Sequence, residues 1–427
     1  MKLSLKNIGK IHEAMIEING ITVIAGENNT GKSTVSKALY SVFNSFYHID
    51  LKIHRERENS VRKLLELIRS DFDYEFDHFF MEMKKAAQDF VSDIESYRDN
   101  PEKIKTRIAA MLKLQGEMQS DALEDRDIGS IVQRINEVLR VPHKDILRSV
   151  LEKQLNMEFN NQINNIFHED PGEIKLQIKN KDITIPIEEN RVTGVMPNVE
   201  LRTEAIYLDD PFVLDVQKVR YGVFRNVSSY PDHRDHLKNK LFFNKRKANI
   251  VDEIVVNNKF EKIYRKIHSV CSGDMVRDRP SDWGYKKAGS DQVLDLRNLS
   301  TGLKTFVILK TLLTNGAIEQ NGTIILDEPE IHLHPEWQLL FAELIVLIQK
   351  EFGMHILLNT HSPYFLNAIE VYAAKYEIAD KCKYYLASLE GEISRIEDVT
   401  GNIEAIYSRL AKPLQKLENE RYSSDED

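Results

Sequence analysis

The chain has 427 residues, 42% of them apolar and 29% charged, with a net charge of −9. Such a balance suits a folded protein of two or three domains and excludes extended disorder, while the acidic excess argues against a uniformly basic nucleic-acid coat and leaves room for a local basic face. The two cysteines, Cys271 and Cys382, are too few for a disulfide framework or a zinc site. Apolar runs such as 21–25 and 339–348 fall short of the roughly 20 residues a membrane span takes. The start, Met1-Lys2-Leu3-Ser4-Leu5-Lys6, lacks the apolar core of a signal peptide, so a reducing cytoplasm is expected.

Residues 1 to 25 alternate apolar and polar positions (Leu3, Leu5, Ala14, Ile16, Ile18, Ile21, Val23) around Gly9 and Gly20, which predicts three short strands. The third runs into Gly26-Glu27-Asn28-Asn29-Thr30-Gly31-Lys32-Ser33, followed by Thr34. This segment matches GxxxxGK[ST], a loop whose backbone N–H groups surround phosphates while the lysine neutralises the outer ones and the serine hydroxyl ligates Mg²⁺. Helical periodicity over 35–43 supplies the strand-loop-helix context that the motif needs and aims a helix N-terminus at the phosphates.

From about 45 to 168 the pattern is helical, with Val61, Leu64, Leu65 and Ile68, then Phe72, Phe76, Phe79, Phe80, Met83, Ala87 and Phe90, then Ile131, Ile135, Val138 and Leu139. Breaks at Asp99-Asn100-Pro101 and Val141-Pro142 predict several packed helices, and the aromatic stripe reads as core or as a partner-docking face. Strict alternation over 173–188 across Asn180-Lys181-Asp182 predicts a hairpin. Ala205 to Leu208 reads as a buried strand ending in Asp209-Asp210-Pro211.

Basic residues thicken between 214 and 267: Lys218, Arg220, Arg225, Arg234, Lys238, Lys240, Lys245, Arg246, Lys247, Lys259, Lys262, Arg265 and Lys266. The stretch 218–266 is the best nucleic-acid candidate, but Asp215, Asp232, Asp235 and Glu261 interleave with it, as in a solvated helical face.

Leu299-Ser300-Thr301-Gly302 opens the helical run 303–313 and makes a second helix N-terminus able to meet an anion. The apolar run Thr323-Ile324-Ile325-Leu326 then delivers Asp327 and Glu328 at the end of a predicted buried strand, about 25 residues after Gly302. Such a pair can divide the work: Asp327 holds the Mg²⁺ shell, and Glu328 orients and deprotonates an attacking water. A second apolar strand, Ile356-Leu357-Leu358-Asn359, precedes Thr360-His361-Ser362. His332, His334 and His355 lie near it in sequence, but no carboxylate or cysteine spacing fits zinc. The expected division is 1–44 for the N-terminal part of a head with the phosphate loop and 45–170 for a helical insertion. A mixed lobe with the hairpin and basic stretch follows at 171–290, and the C-terminal part of the head at 291–427.

These motifs resemble ATP-binding-cassette ATPases. The wording of the phosphate loop, of Asp327-Glu328-Pro329-Glu330 with Leu333-His334-Pro335, and of Thr360-His361-Ser362-Pro363 is similar to the RecF, SMC and overcoming-lysogenization-defect (OLD) branch and unlike the transporter branch. The likeness covers 1–40 and 290–370, leaves the insertion unmatched, and assigns no glutamine-loop residue. It implies an α/β P-loop NTPase, an ABC-type ATPase head with a long helical insertion, using ATP and Mg²⁺. By this resemblance Gly26 to Thr34 and Leu299 to Gly302 bind nucleotide, Ser33 and Asp327 hold the metal, and Lys32, Glu328 and His361 are catalytic, His361 as the switch at the γ-phosphate. Ser300 would act on nucleotide held by the partner of an ATP-sandwiched homodimer, and His332 to Pro335 would touch that partner.

The 66 residues after His361 predict a hairpin around Glu390-Gly391-Glu392 and a helix from Ile403 to about Ala411, and carry no DxD of a Toprim nuclease before the acidic tail. The expected function is an ATP-hydrolysing, ATP-gated dimer in the cytoplasm that senses or regulates, controlling a separate effector (nuclease or toxin) in bacterial anti-phage defence. The alternative is a RecF-like DNA-repair ATPase that binds DNA directly; a transporter motor is disfavoured.

Overall fold

The computed structural model describes residues 1–68, 76–113, 128–167, 169–196, 199–216, 230–243, 261–279 and 282–423. The chain divides into two compact units, residues 1–47 with 151–427 and residues 48–150.

Strands β1 (Lys2–Ile8), β2 (Ile11–Glu17) and β3 (Ile21–Gly26) open the first unit, and α1 (Lys32–Phe46) follows β3 across a five-residue loop. The second unit then runs through α2 (Ile49–Glu66), α3 (Phe76–Ser92), α4 (Ile94–Tyr97), α5 (Pro101–Lys113), α6 (Ile128–Arg140) and the first half of α7 (His143–Phe159). Its helices break at Asp99-Asn100-Pro101 and at Val141-Pro142, because the residue before a proline is pushed out of the helical region. Phe79, Met83, Ala87 and Phe90 of the aromatic stripe are buried in this unit's own core with Val61, Leu65, Ile104, Ile108 and Ile135.

The chain returns to the first unit with β4 (Gly172–Ile178), β5 (Lys181–Glu188), β6 (Arg191–Val192), β7 (Ala205–Leu208), α8 (His233–Phe242) and α9 (261–270). Next come β8 (Asp274–Arg279), β9 (Asp282–Lys286), β10 (Val293–Asp295), α10 (Thr301–Thr314), β11 (Thr323–Asp327) and α11 (Pro335–Phe352). The chain closes with β12 (His355–Thr360), α12 (Pro363–Lys375), β13 (Cys382–Glu390), β14 (Ile393–Asp398) and α13 (Glu404–Ser423).

Among the described residues eleven strands form one sheet in the order β6-β5-β4-β1-β2-β14-β13-β3-β12-β11-β7. From β6 to β2 neighbours are antiparallel, whereas β13, β3, β12, β11 and β7 run parallel. The interior strands β3 and β11 and the edge strand β7 are buried at every position, as strands covered on both faces must be. Helices α10, α11 and α12 pack together through Phe306, Phe341 and Phe365, whose ring centroids stand 5.6 and 6.4 Å apart in turn. Because β3, β11 and β12 are parallel and in register, with Asp327 opposite Asn359 and Thr360 opposite Ala25, their C-terminal loops open on one sheet edge. That edge is where open α/β sheets place ligands.

Three local expectations change. The hairpin turns at Lys179-Asn180, since Ile178 pairs with Lys181, and Lys179 takes a φ of 53° as a two-residue turn of this hand requires. Helix α13 continues through Pro413; residues 412–421 are exposed, so solvent can serve the Arg409 carbonyl that proline leaves without a donor. The small sheet β10-β9-β8 was not anticipated, its strands being only 3 to 6 residues long and weakly alternating.

Candidate functional site

The phosphate loop is a cradle built by close backbone approach. A Cβ on Gly26 would stand 2.2 Å from the Ala387 carbonyl oxygen on β13, so only glycine fits beneath the loop. Gly31 caps α1 with a φ of 80°, and Asn29 also has positive φ, at 68°. The Thr30 hydroxyl donates to the Glu27 carbonyl at 2.8 Å, and Ser394 of β14 donates to the Thr30 carbonyl. Arg409 on α13 reaches Glu27 at 3.0 Å. Lys32, the first residue of α1, is buried, and its Nζ donates to the carbonyls of Gly26 at 3.1 Å and Glu27 at 2.9 Å. The loop is thus pinned while the N-terminus of α1 presents its amides and the positive end of its dipole.

The two carboxylates at the end of β11 lie in different surroundings. Asp327 is buried; its Oδ2 accepts from the Tyr207 hydroxyl and its Oδ1 from Asn359 Nδ2, both at 2.8 Å. Asn359 Nδ2 also donates to Ser36 on α1 at 2.8 Å, joining β11, β12 and α1 through one amide. Glu328 is half-buried, with a φ of 50° fixed by its N–H donating to the Asn359 carbonyl at 3.0 Å. Its Oε1 stands 3.5 Å from Lys32 Nζ and 3.5 Å from His361 Nδ1. His361 and then Lys32 hold the Glu328 carboxyl below the usual carboxylate range against the opposing effect of burial, and Glu328 in turn raises the His361 imidazole. Glu330 is the opposite case: burial raises its carboxyl, which accepts from the Thr360 hydroxyl and from the His361 N–H at 3.2 Å. Glu330 therefore sets the backbone from which His361 projects.

Ser300 is the exposed N-cap of α10, its hydroxyl accepting from the Leu303 N–H at 3.4 Å. A Cβ on Gly302 would lie 2.9 Å from the His332 carbonyl oxygen and 3.1 Å from the Trp337 ring, so the glycine lets the start of α10 pack under the loop that follows Glu328. A cavity of about 400 Å³ opens beside the phosphate loop, lined by Asn29 to Thr34, Lys37 and Glu328 on one side and by Gly9, Lys10, Phe159, Gln162, Asn164 and Ile166 on the other. None of Leu299 to Gly302 lines it. Lys32, Ser33, Asp327, Glu328 and His361 are thus brought to one edge of one chain, and Ser300 is not brought to the cavity.

Sequence reasoning missed Tyr207, Asn359 and Ser36, whose roles depend on which strands are neighbours, and Lys10, Phe159, Gln162 and Ile166, which carry no motif. In the basic stretch, Lys218, Arg220, Arg225, Lys245, Arg246, Lys247 and Lys259 fall outside the described residues. The others meet protein partners: Arg234 pairs with Asp209, Lys238 with Asp235, Lys240 with Glu204, Arg265 with Glu261 and Lys266 with Glu343, while Lys262 lies over the Tyr376 ring.

The donors fit Mg²⁺. They are hard oxygens, the exposed Ser33 hydroxyl and an Asp327 carboxylate that keeps a further lone pair on each oxygen beyond those used by Tyr207 and Asn359.

A phosphate loop between a parallel strand and a helix, with an acidic pair closing the same sheet edge, defines the α/β P-loop ATPase class. The chain belongs to the family described as AAA ATPase domain (AAA_15), whose model matches residues 1–366. Among solved structures it is similar to the SMC head bound to the C-winged helix domain of ScpA, at 12% identity over 93% of this chain and 96% of that one, TM-score 0.45. It is also similar to the SMC head domain from Thermotoga maritima (12% identity, 93% and 98% covered, TM-score 0.37). A third is the Pyrococcus furiosus Smc head with an extended coiled coil, bound to the C-terminal domain of ScpA (13%, 98% and 98%, TM-score 0.35). Identities and TM-scores this low assign neither a partner nor an activity to this chain. Among the described residues no helix is long and apolar enough to cross a membrane.

Proposed function

We propose that this chain is an ATP phosphohydrolase, that two copies of it close on ATP and part on hydrolysis, and that this cycle gates a separate effector protein in bacterial anti-phage defence. The observation that carries the hydrolytic reading is the placement of Glu328 Oε1 at 3.5 Å from both Lys32 and His361, on the edge where the phosphate loop ends. Lys32 neutralises the outer phosphates. Glu328 accepts the proton of the attacking water, and His361, charged more readily beside Glu328, offers its imidazole to the γ-phosphate. Ser33 and Asp327 would hold Mg²⁺, which neutralises charge on the β- and γ-phosphate oxygens.

The dimer is supported by Ser300 of the Leu299–Gly302 segment, which is exposed and caps a helix away from its own chain's cavity. The effector rests on resemblance and is a fold-level analogy, and the cytoplasmic setting rests on the two cysteines and the polar start of the sequence. Direct DNA binding of RecF type is the second reading, and the pairing of the described basic residues with acidic neighbours weighs against it.

Glu328→Gln tests the hydrolytic reading. The amide cannot take up the proton, so turnover should fall by about 100-fold or more, the usual share of general-base catalysis, with ATP affinity retained. Hydrolysis at the wild-type rate would remove Glu328 from that role.

A further inference from the structure

The phosphate loop accounts for only one side of the cavity beside it. The facing side comes from the turn between β1 and β2 and from the strap 159–167 that follows α7, segments to which no phosphate chemistry attaches. The strap is a built wall. Asn190 Oδ1 accepts from the N–H groups of Ile163 at 2.7 Å and Asn164 at 2.9 Å, and the Asn164 side chain answers by accepting from the Asn190 N–H at 2.7 Å and donating to the Ile187 carbonyl at 3.2 Å. Two further bonds tie it to the β1–β2 turn: Gly9 N–H to the Ile163 carbonyl at 2.9 Å and Asn165 N–H to the Asn7 carbonyl at 3.0 Å. That turn is pressed against α1, since a Cβ on Gly9 would lie 3.0 Å from the Thr34 side chain.

A wall fixed this firmly presents a particular set of side chains to the cavity. Ile166 stands 73% exposed, an apolar surface that water covers poorly. Gln162 is exposed; its backbone N–H donates to the Phe159 carbonyl at 3.0 Å, and its side-chain amide makes no hydrogen bond to the other described residues, leaving donors and an acceptor free. Phe159, the last residue of α7, also lines the cavity and is largely buried. One apolar face and one free side-chain amide, opposite the phosphate cradle, match a flat heteroaromatic base on a ribose better than a further phosphate, and Lys10, the cation on this side, lies over the Phe167 ring, 6.0 Å from its centroid.

We propose that the strap 159–167, with Gln162 and Ile166 as its contacts, is the nucleoside subsite of this ATPase, holding ribose and base while the loop 26–33 holds the phosphates. This rests on the phosphate-loop reading above, and the experiment separates the two. Calorimetric titrations with ATP and with inorganic tripolyphosphate, each with Mg²⁺, are compared for the wild-type chain, for Gln162→Ala/Ile166→Ala and for Lys32→Ala. Both replaced positions of the double variant are exposed, so folding is expected to survive, and its melting temperature is checked. The wild type should prefer ATP over tripolyphosphate by about tenfold or more, the usual scale for a small apolar and hydrogen-bonded contact set. The double variant should lose most of that preference while binding tripolyphosphate within about twofold of wild type, and Lys32→Ala should weaken both ligands. Equal wild-type affinity for the two ligands, an unchanged preference in the double variant, or a parallel loss of both ligands in it would overturn the subsite. Failure of the wild type to bind either ligand would instead remove the phosphate-loop reading on which the subsite stands.

Discussion

Glu328 and Asp327 are adjacent in sequence and opposite in environment. Asp327 uses one acceptor site on Tyr207 and another on Asn359 inside the core, so its position is set before any ligand arrives, whereas Glu328 projects half-buried between Lys32 and His361. The motif alone identified both carboxylates. What it could not identify is the pair of donors that aim Asp327, because Tyr207 and Asn359 lie 120 and 32 residues away and meet it only through strand order. Tyr207→Phe keeps the buried ring and removes one donor. The expected result is a several-fold rise in the Mg²⁺ concentration needed for half-maximal hydrolysis, with stability lowered by about 1 kcal/mol, a typical net hydrogen bond. An unchanged Mg²⁺ requirement would make the Tyr207 hydroxyl a packing feature only.

Elements were legible where periodicity was strong. The alternation of 1–25 and the apolar runs ending at Leu326 and Asn359 became β1, β2, β3, β11 and β12, and the proline breaks became helix ends. The short strands β8 to β10 were not legible, having too few residues for a period to register. Neither was the contact that ties α7, β7 and α8 together: His233 at the start of α8 stacks on Tyr207 at 4.2 Å and pairs with Glu158 at 2.7 Å and Asp209 at 3.0 Å. Although burial opposes its charge, these two carboxylates raise His233 to about 9. A raised histidine contributes its stability fully below the unfolded value near 6.5 and loses it as pH climbs through about 9. Melting temperature should therefore decline between those pH values, and His233→Gln should flatten the decline. A variant with the same pH slope as the wild type would show that His233 is not its source.

At the scale of the whole molecule the α/β P-loop fold could be read from four short motifs because they fall on the buried parallel strands and the helix N-termini that define it. The dimer could be read only as an implication of resemblance. If Lys32 and Ser300 serve one nucleotide from different chains, a Lys32→Ala chain and a Ser300→Arg chain, each inactive alone, should regain partial ATPase activity on mixing, since their heterodimer holds one intact composite site. Absence of recovery at concentrations where the two chains demonstrably associate would mean that both sites must fire together or that Ser300 does not act in trans; normal turnover by a covalently enforced monomer would exclude trans action.

The most direct measurement is mass in solution. Glu328→Gln should bind ATP without releasing it through hydrolysis, so light scattering of this variant with ATP and Mg²⁺ should report twice the 49.5 kDa of the chain, and the 49.5 kDa monomer without nucleotide. A mass that stays the same with and without ATP, while calorimetry shows the nucleotide bound, would contradict the ATP-gated dimer.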